Sequence, residues 1–268
     1  MSFLYFSVNN TVWQSVWVVI LIIVCVCLFL KKVNLKFRFL LQLLVVLFLG
    51  FILSVNFSPM HIFSCAAVGF CLDGFSVLKV SWSNMWLIIL AMVLANKSVC
   101  GWCCHFGALQ ELCFFNKKTK KYKIPFVVTN TIRTGFFLLL IVLALFWGID
   151  IVTEIYPFYV FSPGFITVAG GITVLIVLGL SFFIYRPWCH LFCPFGLIGW
   201  LLEKIAIFKI RVDYNKCIKC DACVKACPTQ AMAAILNKSR MIPDCSLCGR
   251  CLSVCPVAAI AFKLSKEQ

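Results

Sequence analysis

Charge is scarce in this sequence. Only 12% of its residues are Asp, Glu, Lys or Arg, where a soluble domain carries about a quarter. The shortage excludes a wholly soluble chain and leaves room for a small soluble part at most. Acidic residues are fewer still, 9 against 24 basic ones. Histidine occurs 3 times and never as a pair within an apolar run, so a bis-histidine haem has little support. No nucleophile–base constellation stands out, which argues against hydrolysis or group transfer. The formal charge of +15 first suggests nucleic acid. The basic residues gather in particular loops, however, as membrane topology requires.

What is abundant is apolar sequence, 63% of the chain. Five stretches, at about 11–30, 38–55, 83–99, 125–149 and 165–185, are long enough or nearly so to cross a bilayer, which takes about 20 helical residues. Lys31, Lys32, Lys36 and Arg38 follow the first stretch. Lys97, Lys117, Lys118, Lys120, Lys121 and Lys123 follow the third, and the tail after the fifth is again basic. The remaining loops, about 56–82 and 150–164, hold Lys79 with Asp73, Asp150 and Glu154. Basic loops stay inside, so the expectation is an inner-membrane protein with its N-terminus outside and its C-terminal tail in the cytoplasm. No basic residue precedes the first apolar run, which is long for a signal segment, so it is expected to be a retained anchor.

Cysteine is the other abundance, with 18 residues, and its spacing is informative. Cys217, Cys220, Cys223 and Cys227-Pro228 form a C-x2-C-x2-C-x3-C-P run, and Cys245, Cys248, Cys251 and Cys255-Pro256 repeat it. The tail is therefore an internal duplication with bacterial ferredoxin spacing. Three thiolates of one run and the fourth of the other hold each iron–sulfur cube. That predicts Cys217, Cys220, Cys223 and Cys255 around one 4Fe–4S cluster, and Cys245, Cys248, Cys251 and Cys227 around a second. A zinc site would use two C-x2-C pairs and leave four cysteines idle, and disulfides are disfavoured in the cytoplasm. "KIRVD" before the first run and "AIAFKL" after the second suggest paired terminal strands.

A second cysteine pattern lies nearer the membrane. "VCGWCCHFGALQEL" places Cys100 and Cys104 after the third apolar stretch, and "RPWCHLFCPFG" places Cys189 and Cys193 after the fifth. Aligning them matches Phe106 with Phe195 and Gly107 with Gly196. "FSP" also recurs, at Phe57–Pro59 and Phe161–Pro163. Stretches two–three and four–five thus read as two copies of one helical hairpin, each delivering a C-x3-C to the inner surface. Together these four thiols could hold a third 4Fe–4S cluster. A redox-active thiol pair or plain packing would also account for a C-x3-C on a helix, and Cys103 could replace Cys104 as ligand.

The expected architecture is a membrane all-α core of about five transmembrane helices in two pseudo-repeated hairpins, plus a small α+β two-cluster ferredoxin-like domain. Its parts are an N-terminal anchor and basic loop (1–38), the core with both C-x3-C motifs (39–195), an interfacial helix (196–208) and the ferredoxin-like domain (209–268). The tail, "CGWCCHFGAL" and "RPWCHLFCPFG" resemble the NapH/NosR group of polytopic iron–sulfur proteins over about residues 40–265. His105 departs from that group, whose members usually have proline after the second cysteine. The extra first span is not typical of NapH, and the lack of a large flavin domain before the spans sets the chain apart from a full NosR. The resemblance implies a quinol dehydrogenase-type electron-transfer subunit rather than a stand-alone enzyme. Its partners would be the membrane quinone pool and a respiratory reductase or an iron–sulfur or cytochrome subunit. An assembly factor for a respiratory metalloenzyme, or a redox sensor, is the alternative.

Lone residues complete the picture. Arg133, well inside the fourth stretch, is a candidate for holding a quinone head group or offsetting cluster charge, or it snorkels to the inner surface. His61 in an outer loop is a candidate acceptor of the quinol proton. His105 and His190 adjoin the cysteine pairs and are candidates for ligation or for bonding to a cluster sulfur. Cys65 and Cys71 fall on the outer side, where a disulfide could persist. Cys25, Cys27 and Cys113 read as buried hydrophobes.

Overall fold

The computed structural model describes residues 2–52, 74–115, 120–147, 155–161, 167–239 and 241–265. Long apolar runs without proline favour helix, and among the described residues each of the five apolar stretches is mostly helical. Helix α1 spans Ser2–Phe29, and α2 spans Leu35–Val45 and continues as a π-helical segment, Val46–Ile52. Asn34 starts α2 by accepting the Phe37 N–H at 2.7 Å, an N-cap bond that satisfies an otherwise orphaned donor. Helix α3 spans Gly74–Ala95, and a second π segment, Val99–Cys103, leads into α4 at His105–Phe114. Helix α5 spans Phe126–Trp147 and α6 Val168–Ser181, with a 3-10 turn at Pro157–Phe161 between them. Two short helices follow, α7 at Pro187–Leu191 and α8 at Pro194–Glu203.

Among the described residues one window, Phe126–Leu143, is long and apolar enough by itself to cross a membrane, while Gln14–Phe29, Met85–Ala95 and Val168–Ser181 are shorter apolar helices. Large apolar side chains point outward on several of them, including Ile22, Leu90, Leu139 and Leu175.

The structure corrects one boundary. The helix expected at 196–208 begins at Pro194 and ends at Glu203, because Phe208 has already entered a strand. Strand β1 (Phe208–Val212) pairs antiparallel with β2 (Ile260–Leu264), Phe208 opposite Leu264 and Val212 opposite Ile260. Ladder pairing thus overrides the apolar pattern that reads as continuing helix. Between the strands lie α9 (Ala222–Ala226), α10 (Ala231–Leu236) and α11 (Arg250–Val254). Phe29 at the end of α1 meets Phe208 and Phe262 edge-on at 5.2 and 5.0 Å, which fixes the sheet beneath the first helix.

Candidate metal centres

The two cysteine runs of the tail fold into matching loops. Lys219 and Leu247, at equivalent places, are left-handed (φ 53° and 49°), as are Asp221 and Gly249 (56° and 74°). Helices α9 and α11 then present Cys223 and Cys251. Each helix ends at a cysteine held extended, Cys227 with ψ 117° and Cys255 with ψ 111°. The proline that follows each one disfavours helical backbone there. One position separates the copies. Asp221 is exposed, whereas a Cβ on Gly249 would stand 2.9 Å from Val33, so only the buried copy needs glycine there.

Cys217, Cys220, Cys223 and Cys255 line one small pocket together with Ile218, Leu236 and Ile260. Burial and then Cys248 push the Cys251 thiol well up, with Cys227 also close by. Burial, Glu203 and Cys251 do the same for Cys245, again with Cys227 near. The fourth cysteine of each run therefore sits beside the other run's loop. Among the described residues, no three His, Cys, Asp or Glu side chains converge closely enough for a single metal ion.

The four thiols of the core's C-x3-C motifs lie near enough to influence one another. Burial pushes the Cys100 thiol up to about 12, helped by Cys193, with Cys189 nearby. Cys104 is pushed up to about 12 by burial and Cys100. Cys189 is raised by burial and then by Cys104 and Cys193. Thiols held this strongly protonated are poor nucleophiles at neutral pH, whereas a thiol bound to a metal is deprotonated outright. Cys104 and Cys193 share one backbone conformation, ψ 107° and 117°, each at the N-terminus of a helix, α4 and α8. His105 occupies the first helical position that Pro194 fills in the second copy, so the missing proline leaves the cysteine's geometry intact. The Gly107 N–H donates to Cys104 Sγ at 3.4 Å, and the Phe195 and Gly196 amides donate to Cys193. Cys103 lies beside Cys25 as well as Cys104 and Cys100.

Buried charge surrounds this cluster of thiols. Lys97 and Arg186 stand equally far ahead of their C-x3-C motifs, and each crosses to the other hairpin. Lys97 Nζ donates to the Gly196 carbonyl at 2.9 Å. Arg186 donates to the carbonyls of Cys100 and Gly101. Two buried carboxylates collect the cations. Glu111 accepts from Arg38 at 2.8 and 2.7 Å, Arg186 at 2.9 Å, Arg250 at 3.1 Å and the Tyr185 hydroxyl at 2.8 Å. Asp244 accepts from Lys97, from Arg133 at 2.7 Å, and meets His190 Nδ1 at 3.2 Å. Burial opposes both carboxylates, but Arg38 and Arg186 hold Glu111 well below the usual range, and Lys97 and His190 do so for Asp244. The arginines and lysine outnumber the two carboxylates. Buried surplus charge is costly unless an anion matches it, and four thiolates on a 2+ iron–sulfur core supply such an anion. The residues present therefore fit a cluster at Cys100, Cys104, Cys189 and Cys193.

The remaining candidates fall as follows. Arg133 is fully buried, with Asp244 on Nη1 and Asn130 on Nη2. His190 shares Asp244, and burial lowers its pKa against the pull of that carboxylate. The His105 ring stands edge-on to Phe158 and Phe161 at 5.1 and 4.7 Å. His61, Cys65 and Cys71 lie outside the described residues. Sequence reasoning missed Glu111, Asp244 and the pairing role of Lys97, Arg38 and Arg186. An acid within the apolar helix of "FGALQEL", and a basic residue at the same offset before both C-x3-C motifs, were the available signals.

Comparison with known proteins matches the segments that carry these cysteines. A family described as a 4Fe–4S binding domain matches residues 210–233, and a second of the same description matches 80–122 and 166–213, segments that contain both C-x3-C motifs. An uncharacterized protein of Methanocaldococcus jannaschii is 30% identical over 152 residues, covering 54% of this chain and 63% of its own. YccM of Escherichia coli, whose name assigns it provisionally to electron transport, is 28% identical over 158 residues, 53% of this chain and 44% of its own. The regulatory protein NosR of Pseudomonas aeruginosa is 27% identical over 169 residues, 55% of this chain and 22% of its own. The chain thus spans less than two thirds of the length of each relative. No solved structure matches. The matched segments carry 4Fe–4S binding domains. The chain is thus similar over part of its length to NosR and to YccM.

Proposed function

We propose that this chain is a multi-pass inner-membrane subunit that passes electrons between the quinol/quinone pool and a respiratory reductase partner. Its five apolar helices cross the bilayer with the tail in the cytoplasm. Two clusters sit in the tail, at Cys217, Cys220, Cys223 and Cys255 and at Cys245, Cys248, Cys251 and Cys227. A third sits at Cys100, Cys104, Cys189 and Cys193. Each cluster, when bound, exchanges one electron at a time, which suits a relay to dividing the two electrons of a quinol. The outward apolar side chains and the inward-facing basic loops support the membrane placement.

The observation that carries this reading is that four half-buried thiols from two segments distant in sequence lie near one another inside a surplus of buried cations. The chain's own part is to hold that positive charge in place. Glu111 orients Arg38 and Arg186, and Asp244 orients Lys97 and Arg133. An iron count on anaerobically purified protein tests it. About twelve irons per chain are expected and about eight would sink the third centre. Cys100→Ser and Cys189→Ser should each lower the count by about four. A loss with only one of them would refute a shared site. Re-oxidation of the reduced protein by a soluble quinone analogue should be fast, and clusters that titrate without turning over with quinone would remove the quinol assignment.

A further inference from the structure

The second tail loop is laid directly against the backbone that carries Cys100. Gly101 abuts the Ser246 carbonyl so closely that any Cβ there would overlap it. Beside this contact the Trp102 Nε1–H donates to the Leu247 carbonyl at 2.9 Å. Arg38, fully buried, spans the seam. Its Nη1 donates to the Cys248 carbonyl at 3.0 Å and its Nη2 to the Gly101 carbonyl at 3.1 Å. Glu111 pins the other edge of the guanidinium at 2.8 and 2.7 Å, and the group stacks 4.4 Å over the Trp102 ring. One cation thus bonds to a ligand residue of one thiol set and to the neighbour of a ligand in another. The first tail loop is placed differently. It is reached by Lys123, which donates to the Val224 and Lys225 carbonyls at 3.4 Å, and Cys220 is exposed.

We propose that Arg38 is the positioning residue of an electron contact between the membrane thiol centre and the second tail centre. The relay order is then membrane centre, second tail centre, first tail centre, with the first facing a soluble partner. The inference rests on the reading that Cys100, Cys104, Cys189 and Cys193 hold a cluster. One electron passes between two 4Fe–4S centres, one oxidised as the other is reduced, and no bond or proton changes place. Electronic coupling between buried centres decays steeply with the gap, and the Gly101–Ser246 contact leaves no side chain within it. The Arg38 charge, set between two anionic groups, favours the reduced form of both.

The test is an EPR-monitored redox titration with iron counts on the full chain, comparing the parent with Arg38→Lys and Arg38→Gln. Cys220→Ser identifies the signal of the first tail centre. With about twelve irons retained, Arg38→Gln should shift the reduction equilibria of the membrane and second tail centres at least tenfold toward oxidised, about 59 mV for one electron. It should also weaken the magnetic coupling between those two centres and leave the first tail centre unmoved. Arg38→Lys should recover the equilibria and not the coupling. Unchanged equilibria and coupling at full iron, an equal shift of all three centres, or coupling of the membrane centre to the first tail centre would overturn the proposal. Loss of iron in both variants would also overturn it by making Arg38 a scaffold residue. A parent protein with about eight irons would instead remove the reading on which it rests.

Discussion

The two cysteine runs of the tail have one spacing and one backbone path but opposite surroundings. The loop of Cys217, Cys220 and Cys223 faces outward, with Ile218 and Cys220 exposed. The loop of Cys245, Cys248 and Cys251 is locked into the core through Asp244, Leu247, Cys248 and Arg250. Spacing sets how a run wraps its ligands; the neighbours set what the bound group can exchange electrons with. The residue before the first cysteine states the contrast most plainly. In the exposed copy it is Lys216, in a surface pair with Asp213 at 3.7 Å. In the docked copy it is Asp244, buried among Lys97, Arg133 and His190.

That contrast can be broken in order of expected effect. Asp244→Asn leaves Lys97 and Arg133 buried without their carboxylate, which should cost about 3–5 kcal/mol. Lys216→Ala should change stability by less than about 0.5 kcal/mol. Thermal unfolding of the anaerobic protein in detergent reads both, and equal effects would refute the docked-versus-exposed distinction. Because the folded carboxyl of Asp244 is held below its ordinary pKa, its contribution is present above that ordinary value and is lost as the pH falls through the folded one.

Glu203 gives the second test, with the opposite sign. Burial is the main cause that lifts its carboxyl from 4.5 to about 7, while it accepts the Cys245 N–H at 3.3 Å. A raised acid favours the fold below its ordinary pKa and loses that advantage as the pH rises through about 7. Glu203→Gln should therefore gain on the parent between about pH 5 and pH 8, by on the order of 3 kcal/mol. A parallel pH dependence in the two proteins would refute the assignment.

The smallest effect compares the left-handed pair. Gly249→Ala should cost about 1–2 kcal/mol from backbone strain alone, with the Val33 contact adding to it. Asp221→Gly should be neutral within about 0.5 kcal/mol. Urea titration with cluster absorbance as the probe separates them, and equal costs would show that the core does not press on the second loop.

Much of this was legible in the sequence. The two C-x2-C-x2-C-x3-C-P runs announce themselves because their ligand spacing is local, written within a single loop. The paired strands at Phe208–Val212 and Ile260–Leu264 were expected from "KIRVD" and "AIAFKL", which flank the two runs. The end of α8 did not, because "GLIGWLLEKIAIF" is apolar whether it continues as helix or turns into a ladder. Arg133 was singled out for its depth, yet its partner Asp244 lies far along the chain, and no pattern within either segment names the pair.

What the sequence by itself determined is the chemistry: thiol sets of iron–sulfur spacing, a duplicated tail, and two apolar stretches each followed by a C-x3-C. Only the tertiary structure decided which cysteine segment neighbours which, and that Glu111 and Asp244 gather cations from both halves of the core around its thiols. The reason is physical. Ligand spacing is a short-range constraint that a dozen residues can encode. Charge pairing and centre-to-centre contact depend on through-space distances between segments, which are fixed only when the helices and the tail have packed.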